Sequence, residues 1–285
     1  MKSPRMATPR AFGRDAVTRV AVLLLVAFAT AGALAPRLAP FPRDFIRLDQ
    51  RAQAPSTRHL FGTDMLGRDV MSRILHGARV SLAVAVCATA IAVAIGTLLG
   101  ALAGYLGGRV DAVIGALVDT TLSLPLFFLV LLLGQRWGAN LATLCLVIGF
   151  ASWMPVARLV RQTARALRHR TFVEAARGLG FGTGRVLARH VLPAAAAPIL
   201  VAAALGAAQA VMLESALGFL GFGVQPPTPS WGGMLQEAQS HLHDAPWLAV
   251  FPGACIFLVV LALHALAEAG QSALDPRARG ARIAT

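Results

Sequence analysis

Six long apolar segments constrain the fold of this chain more than any other feature of its sequence. Each has about 20 residues or more, the length that an α-helix needs to cross the hydrocarbon core of a membrane. None shows the short apolar and polar alternation of membrane β-strands. The sequence therefore predicts an all-α integral membrane protein with six spanning helices. The segments fall at residues 17–38, 81–105, 111–134, 141–160, 194–220 and 247–269.

The composition agrees with a membrane protein. Of the 285 residues, 56% are hydrophobic and only 14% are charged, which is too little charge to cover the surface of a soluble domain. A net charge of +13 would also suit a nucleic-acid partner. The arginines lie between the apolar segments, however, and no Lys or Arg occurs between Arg189 and Arg277. This distribution is typical of a protein surrounded by membrane lipid and argues against nucleic acid.

The basic residues also predict the orientation. Residues 1–16 form a basic head, 161–193 a long basic loop, and 270–285 a basic tail. The positive-inside rule places all three in the cytoplasm, so both termini are expected there. Residues 39–80 then form an extracytoplasmic loop, although their seven arginines conflict with the rule.

The first apolar segment has two interpretations. A basic head, an apolar run and the small residues around Ala33 and Ala35 resemble a secretory signal with a cleavage site. Pro36 follows at once, and a proline there disfavours cleavage. We therefore interpret residues 17–38 as an uncleaved first transmembrane helix.

Aromatic residues at the predicted outer boundary are typical of a membrane interface. Trp137, Trp231 and Trp247 fall near that boundary, as in an aromatic belt.

Part of the 39–80 loop is patterned. Leu66, Val70, Ile74 and Ala78 repeat at four-residue steps, which predicts an amphipathic helix lying at the membrane interface before the second span. Asp69 and Arg73 have the spacing of an i, i+4 ion pair. A structural role and a contact with substrate both remain open for this helix.

The glycine-rich stretch EAARGLGFGTGR, at 174–185, raises the question of a phosphate-binding loop. A Walker A loop needs a lysine that reaches the terminal phosphates, and the only lysine of the chain is Lys2. A dinucleotide fingerprint needs a third glycine at position 183, which is Thr183. The chain therefore binds nucleotide by neither route, and no catalytic group is assigned to it.

The same stretch has the features of a docking element. Thr171 and Glu174 have the spacing of a capping box that starts a short helix, and the small side chains of Ala175 and Ala176 allow another surface to come close. Glu174 and Arg177 share one side of this helix. Further glycines, Gly178 and Gly180, can end it with positive φ, and Pro193 suits the first turn of the fifth span.

Three motifs carry a family resemblance. Glu174 to Ala176, followed by Gly180 and Leu192-Pro193, resembles the EAA loop of binding-protein-dependent ABC importer permeases. FGTDMLGRDVMSRILHGARVSL at 61–82 and ESALGFLGFGVQPPTPSWGGML at 214–235 resemble signatures of the dipeptide, oligopeptide and nickel permeases. The chain is most similar to the C-type subunit of the peptide systems.

The resemblance implies a six-helix transmembrane domain of a type I ABC importer in the bacterial inner membrane. Its core would be residues 81–269, with the coupling loop at 161–193. The chain would pair with a second homologous permease, two ATPases that hold ATP and Mg²⁺, and an extracytoplasmic solute-binding protein. It would itself hold no cofactor. The helix around Glu174 would insert into an ATPase, with the residues that follow as docking positions: Thr171, Glu174, Ala175, Ala176, Arg177, Gly178, Gly180 and Pro193.

Two acidic residues lie within predicted spans. Relatives often carry Met-Arg shortly before the acid of span three, but here Gly115 and Ala116 occupy those positions, so Asp119 lacks that nearby cation. Asp119 is expected to face the pathway or to bind the partner permease. Glu214 belongs to the second family signature, and packing against the outer loop is favoured for it over substrate contact.

Alternatives remain for both the substrate and the class of transporter. Short peptides are the leading substrate, and nickel or another small solute is the alternative within the family. His241 and His243 could bind metal from an extended chain, although two loop histidines are more often plain polar residues, and no metal site is assigned. An ion-driven secondary transporter is the alternative from a different class.

Overall fold

The structure is a computed structural model that describes residues 9–123, 125–137 and 140–274. Within these ranges the chain is helical, with one isolated β-bridge between Thr63 and Asp69. Most of the predicted basic head and tail, residues 1–8 and 275–285, lies outside the described residues. The helices are α1 (Pro9–Ala33), α2 (Ala35–Leu38), α3 (Val70–Leu106), α4 (Gly108–Leu122), α5 (Leu126–Trp137), α6 (Leu141–Ala151), α7 (Trp153–Leu167), α8 (Thr171–Gly178), α9 (Thr183–Val186), α10 (Leu192–Phe219), α11 (Trp231–Ala238) and α12 (Trp247–Leu274).

Five stretches of the described chain are long and apolar enough to cross a membrane, and they confirm the all-α membrane fold. They are Ala16–Ala33, Val70–Leu106, Leu141–Leu167, Thr183–Phe219 and Trp247–Ser272. The predicted third span, 111–134, is not one straight helix. Its helices α4 and α5 meet at an angle of 85°. Pro125 lies between them, and a proline, which lacks an N–H and disfavours helical backbone before it, interrupts the helix.

The second span begins earlier than the sequence predicted. The helix α3 runs for 37 residues without a break, about 55 Å at 1.5 Å per residue. The prediction of a separate interfacial helix before this span is therefore wrong, because most of the residues assigned to that helix form the first turns of α3. The predicted apolar face exists, since Val70, Ile74 and Ala78 are buried, whereas Leu66 precedes the helix and is exposed.

The central helix α3 lies unusually close to α7. A Cβ atom added to Gly96 would come 2.6 Å from the carbonyl oxygen of Trp153, and one added to Gly100 would come 2.5 Å from that of Ala157. Gly104 continues the same face one turn further. Glycines at four-residue spacing let two helix backbones approach and pack where lipid offers no hydrophobic driving force between them.

The last part of the basic loop, α9, continues directly into the fifth span. A π-helical turn at Leu187–Val191 joins α9 to α10, and the N–H of Leu192 donates to the carbonyl of Leu187. Pro193 is the second residue of α10 and so lies in the first turn of the fifth span, as the sequence predicted, although the helix enters that turn directly from the π-helical turn. The wider turn accommodates the proline, whose ring would clash with the carbonyl four residues earlier in an α-helix.

The two ends of the bundle are defined here by their helices. The α8 end contains the end of α3, the start of α4 and α8 itself. The α11 end contains residues 39–69, the start of α3 and α11. Trp231 is fully buried at the α11 end and donates to the carbonyl of Ile74 at 3.2 Å, and Trp247 donates to that of Thr63 at 3.2 Å. Trp231 serves packing, so the predicted aromatic belt is wrong for it; Trp247 is partly exposed, and the side chain of Trp137 lies outside the described part.

Candidate functional site

The short helix α8 begins differently from the predicted capping box. Its N-cap is Arg170, which makes no side-chain capping bond, and Thr171 is the first helical residue. Because Thr171 is one position inside the helix, its hydroxyl is not placed as an N-cap acceptor. The backbone N–H of Glu174 donates to the carbonyl of Arg170 at 3.1 Å. The predicted capping box is therefore wrong, although the predicted helix is present.

The end of α8 is fixed by Gly180. The N–H of Gly180 donates to the carbonyl of Arg177 at 2.9 Å, and that of Phe181 donates to Ala176 at 3.2 Å. These two bonds form a Schellman motif, which needs the left-handed conformation that Gly180 adopts at φ +76°. The bend predicted at Gly180 is confirmed. Gly178 is the last helical residue and does not have positive φ.

One face of α8 is buried in this chain and the other is exposed. Val173 and Ala176 are buried against residues of α7, α9 and the π-helical turn. Glu174, Ala175 and Gly178 are exposed. Ala176 was expected to contact another protein beside Ala175, but helical spacing turns it inward. The exposed face that remains for a partner is therefore formed around Glu174, Ala175 and Gly178.

Arg177 joins α8 to the end of α3. Its Nε donates to the Tyr105 hydroxyl at 2.9 Å, and its guanidinium lies 4.6 Å from the centre of the Tyr105 ring. Tyr105 is itself buried. The sequence placed Arg177 beside Glu174, whereas the structure directs it back onto the bundle. This contact attaches α8 to α3. The buried face of α8 also packs in one hydrophobic cluster with residues of α7 and of the π-helical turn that leads into α10.

Asp119 has a cation, but from another helix. Arg158 of α7 donates to its carboxylate at 2.5 Å, with side chains 51% and 61% exposed, respectively. Three positions further along α7, Arg161 makes two hydrogen bonds to Asp111, at 2.5 and 2.9 Å. The Arg161 guanidinium occupies the space that a Cβ at Gly115 would need. Asp119 thus lacks the span-three cation of its relatives, as the sequence shows, but α7 supplies one.

Glu214 is fully buried where α3, α10 and α11 meet. Its Oε2 accepts a hydrogen bond from Ser81 at 2.9 Å, and the N–H of Trp231 donates to the same Ser81 hydroxyl at 3.4 Å. The other carboxylate oxygen, Oε1, has no hydrogen-bond partner among the described residues. This position supports the packing interpretation of Glu214 over contact with a solute.

A buried ion network at the α11 end was missed by the sequence analysis. Arg73 contacts Asp64 at 2.6 Å and Glu237 at 2.5 and 2.9 Å, and Arg68 contacts the same two acids at 2.7 and 2.9 Å. The predicted pair of Asp69 with Arg73 does not form. Asp69 instead caps α3 by accepting from Ser72 at 2.8 Å and binds His59 at 2.8 Å. The network joins the motif at 61–82 to Glu237 of α11, the helix that begins within the motif at 214–235.

A cleft of about 360 Å³ opens beside this network. Its lining is mostly apolar and includes Met65, Met234 and Leu248, together with the polar side chains of Arg73, Glu237 and His241. In the described residues no three His, Cys, Asp or Glu side chains come together as a metal site would require.

Fold and site define a class of protein. The chain is a multi-pass helical membrane protein with a short helix exposed at one end and a largely buried ion network at the other. A family model described as the binding-protein-dependent transport system inner membrane component matches residues 96–280. The chain belongs to this family, and it is an ABC importer permease of the bacterial inner membrane.

Individual relatives agree with the family. The glutathione transport system permease proteins GsiD of Shigella flexneri serotype 5b (strain 8401) and of Escherichia coli O157:H7 are 38% and 37% identical to the chain. Each alignment covers 95% of this chain and 90% of the relative. A protein of Brucella suis biovar 1, provisionally named a peptide permease, is 38% identical over 85% of this chain and 81% of its own length. This membership favours an ABC importer over the ion-driven secondary transporter considered from the sequence.

Proposed function

We propose that this chain forms, with a second homologous permease, the translocation pathway of an importer for short peptides. An extracytoplasmic solute-binding protein delivers the peptide, and two cytoplasmic ATPases, which hold the ATP and Mg²⁺, drive transport. The observation that carries the proposal is α8, a short exposed helix locked to three long helices of the bundle. The match of this chain to a family of binding-protein-dependent permeases supports these partners.

The contacts of α8 make it suited to transmit force. Its inner face is packed by Val173 and Ala176, and Arg177 binds Tyr105 of α3. A displacement of the exposed face around Glu174 and Ala175 would therefore move α3, α7 and α10 together, because packed helices shift as rigid bodies. Gly180 fixes the angle at which α8 leaves the bundle. In this proposal, Glu174 and Ala175 contact an ATPase, and Arg177 and Gly180 position α8.

The proposed substrate class follows from the relatives. Glutathione, named for the GsiD proteins, is a tripeptide, and the Brucella suis protein is named for peptides. A short peptide that carries both an ammonium and a carboxylate is the chemistry common to these names. Nickel is the less favoured alternative, since the names of these relatives give it no support.

The orientation completes the proposal. The α8 end faces the cytoplasm, where the ATPases are, and both termini lie on that side. Residues 39–69 and α11 then face outward, towards the solute-binding protein. The Asp64, Arg68, Arg73 and Glu237 network neutralises buried charges within this outer surface, which reduces the conflict that the arginines of residues 39–80 raised with the positive-inside rule.

Co-purification tests the proposal. The tagged chain, expressed in its native membrane with its neighbouring transporter genes, should retain a second permease and ATPases with Walker A loops. Glu174→Arg reverses a charge on the exposed face of α8 and should lose the ATPases while keeping the second permease. Asp49→Arg, which makes the same reversal on an exposed residue of the α11 end, is the matched control and should lose neither.

Two outcomes would contradict the proposal. A wild-type chain that purifies without any ATPase but still moves solute would remove the importer mechanism. Equal ATPase recovery with Glu174→Arg and wild type would remove α8 as the docking element. Uptake of labelled peptide by the complete complex tests the substrate class separately.

A further inference from the structure

One helical stretch connects the two ends of the bundle. It runs from Thr183 to Phe219 through α9, the π-helical turn and α10, for 37 residues, or about 55 Å at 1.5 Å per residue. At the α8 end, Val186 packs in one hydrophobic cluster with Val173 of α8. At the other end, Glu214 lies close to the last residue of α10 and is fully buried. A movement at either end of this stretch would therefore be carried along one helix.

Glu214 connects α10 to the start of α11 through buried serines. The Ser81 hydroxyl of α3 donates to Glu214 Oε2 at 2.9 Å and accepts from the backbone N–H of Trp231 at 3.4 Å. Ser230 lies beside the same carboxylate, and its hydroxyl accepts from the N–H of Gly233 at 3.2 Å. A hydroxyl can donate one hydrogen bond while it accepts others, so each serine can connect Glu214 to a backbone N–H.

The N–H groups that these serines bind belong to the first turn of α11. The first four N–H groups of an α-helix have no partner within the helix and need one from outside. Trp231 is the first residue of α11 and Gly233 the third, so serines that lie against Glu214 bind two of these four groups. The start of a helix is also the positive end of its dipole, which favours a carboxylate nearby. Glu214 thus holds the start of α11 against α10.

The backbones of α10 and α11 are also in direct contact. A Cβ atom added to Gly232 would come 2.6 Å from the carbonyl oxygen of Ser215, and one added to Gly218 would come 2.8 Å from the carbonyl carbon of Gly232. At its other end α11 is held by Glu237, which binds Arg73 of α3 at 2.5 and 2.9 Å. The helix α11 is therefore fixed to α10 at its start and to α3 at its end, and it cannot shift without moving one of them.

We propose that Glu214 is a positioning residue that couples α11 to α10, so that docking of the solute-binding protein at the α11 end is transmitted to the ATPases at the α8 end. The inference rests on the proposed function, in which α11 faces the solute-binding protein and α8 contacts an ATPase. The hydrogen bonds through Ser81 and Ser230 and the contact at Gly232 pass a shift of α11 to α10, which carries it to α8. Glu214 contacts neither solute nor nucleotide, so its effect is on coupling and not on ATP hydrolysis itself.

The stimulation of ATP hydrolysis by the solute-binding protein measures this coupling. The complete complex is reconstituted, and its ATPase rate is followed against rising concentrations of binding protein loaded with glutathione or with L-alanyl-L-alanine. Glu214→Met keeps a buried side chain of similar size and removes the acceptor. The basal rate and the half-saturating concentration of binding protein should stay close to wild type, because Glu237 still holds the outer end of α11. The maximal stimulation should fall about fivefold or more, as expected for the loss of an ordinary coupling between two sites.

Three further variants separate the hydrogen bonds from packing. Ser81→Ala should also lower the maximal stimulation, and it should have no further effect in the Glu214→Met background, since both residues act in one chain of hydrogen bonds. Glu214→Gln keeps an oxygen that can accept from Ser81 and should retain most of the stimulation. Thr89→Val is the matched control and should leave the stimulation unchanged. It removes a buried α3 hydroxyl that faces α10 and has no hydrogen-bond partner among the described residues.

Several results would overturn the inference. One is wild-type stimulation in assembled complexes of Ser81→Ala and Glu214→Met, and another is an equal loss in Thr89→Val or in Glu214→Gln. A raised half-saturating concentration with an unchanged maximum would assign Glu214 to the docking surface alone. Ser81→Ala deletes a single oxygen atom, so it tests the inference even where Glu214→Met does not assemble.

Failure of the proposed function gives a different result. A wild-type complex whose ATP hydrolysis responds to neither loaded binding protein would contradict the proposed function, and the inference with it. A wild-type complex that is stimulated, beside Ser81→Ala and Glu214→Met complexes that are stimulated equally, would contradict the inference alone.

Discussion

The close approach of α3 and α7 leads to a prediction whose size follows from the structure. Gly100→Ala would place a Cβ 2.5 Å from the carbonyl oxygen of Ala157 and 3.0 Å from the Cβ of Val160. An ordinary carbon to oxygen contact is about 3.3 Å or longer. The two helices must therefore separate by about 0.8 Å at this point. A gap of 0.5–1 Å forfeits about a quarter to a half of the dispersion energy of each contact across it.

The expected cost is about 1–3 kcal/mol, the usual range for an extra methyl group in a packed core. The assay is thermal unfolding of the purified complex in detergent, followed by size-exclusion fluorescence, and the midpoint should fall by several degrees. Gly206→Ala is the matched control, since a Cβ there meets only Thr89 Cγ2 at an ordinary 3.8 Å. Alanine is the better helix former, so the control should be neutral or slightly stabilising. A Gly100→Ala midpoint equal to that of Gly206→Ala would refute the close-packing argument.

Three further predictions concern single contacts. Tyr105→Phe removes the hydroxyl that accepts a hydrogen bond from Arg177. We expect weaker coupling, measured as more ATP hydrolysed per peptide imported, while ATPase recovery stays unchanged. An unchanged ratio of ATP to peptide would mean that Arg177 does not position α8. Gly180→Ala forces an L side chain to φ +76° at a cost of about 1 kcal/mol, whereas Gly182→Ala at φ −65° should be neutral. Solute uptake should therefore be lower in the Gly180 variant than in the Gly182 variant. Equal uptake would contradict the role of the bend. Arg73→Met leaves Asp64 and Glu237 with Arg68 as their remaining partner in the network, and loss of one partner of a buried ion pair costs about 3–5 kcal/mol. We expect the variant protein to be degraded, which lowers its steady-state level in the membrane. A normal level would show that the network is dispensable.

The spans could be predicted because their cause is local. An apolar run of sufficient length crosses the membrane whatever its neighbours are, and residues 194–220 and 247–269 correspond closely to α10 and α12. The exposed helix α8 was also predictable, since Gly180 is a short-range signal that ends a helix. The cap at its start was not, because a capping residue and a first-turn residue differ by only one position, and Thr171 suits either.

The polar contacts could not be predicted for a different reason. Arg73 binds Glu237, which is 164 positions away, and Arg158 binds Asp119 from another helix. Such pairs depend on which helices pack together, and sequence spacing carries no information on that. The pattern of Leu66, Val70, Ile74 and Ala78 had the same difficulty. An apolar repeat of four residues fits an interfacial helix as well as the extension of a spanning helix, and only its continuity with 81–105 decides between them.

Site-specific photo-crosslinking tests the central claim, that the exposed face of α8 meets an ATPase, most directly. A photoreactive phenylalanine at Ala175 in the assembled complex is compared with one at Ile46, which is 53% exposed at the α11 end. The account predicts that illumination joins this chain to an ATPase from Ala175 and not from Ile46. Crosslinking to the ATPase from Ile46 with none from Ala175, in a complex that still imports solute, would contradict it.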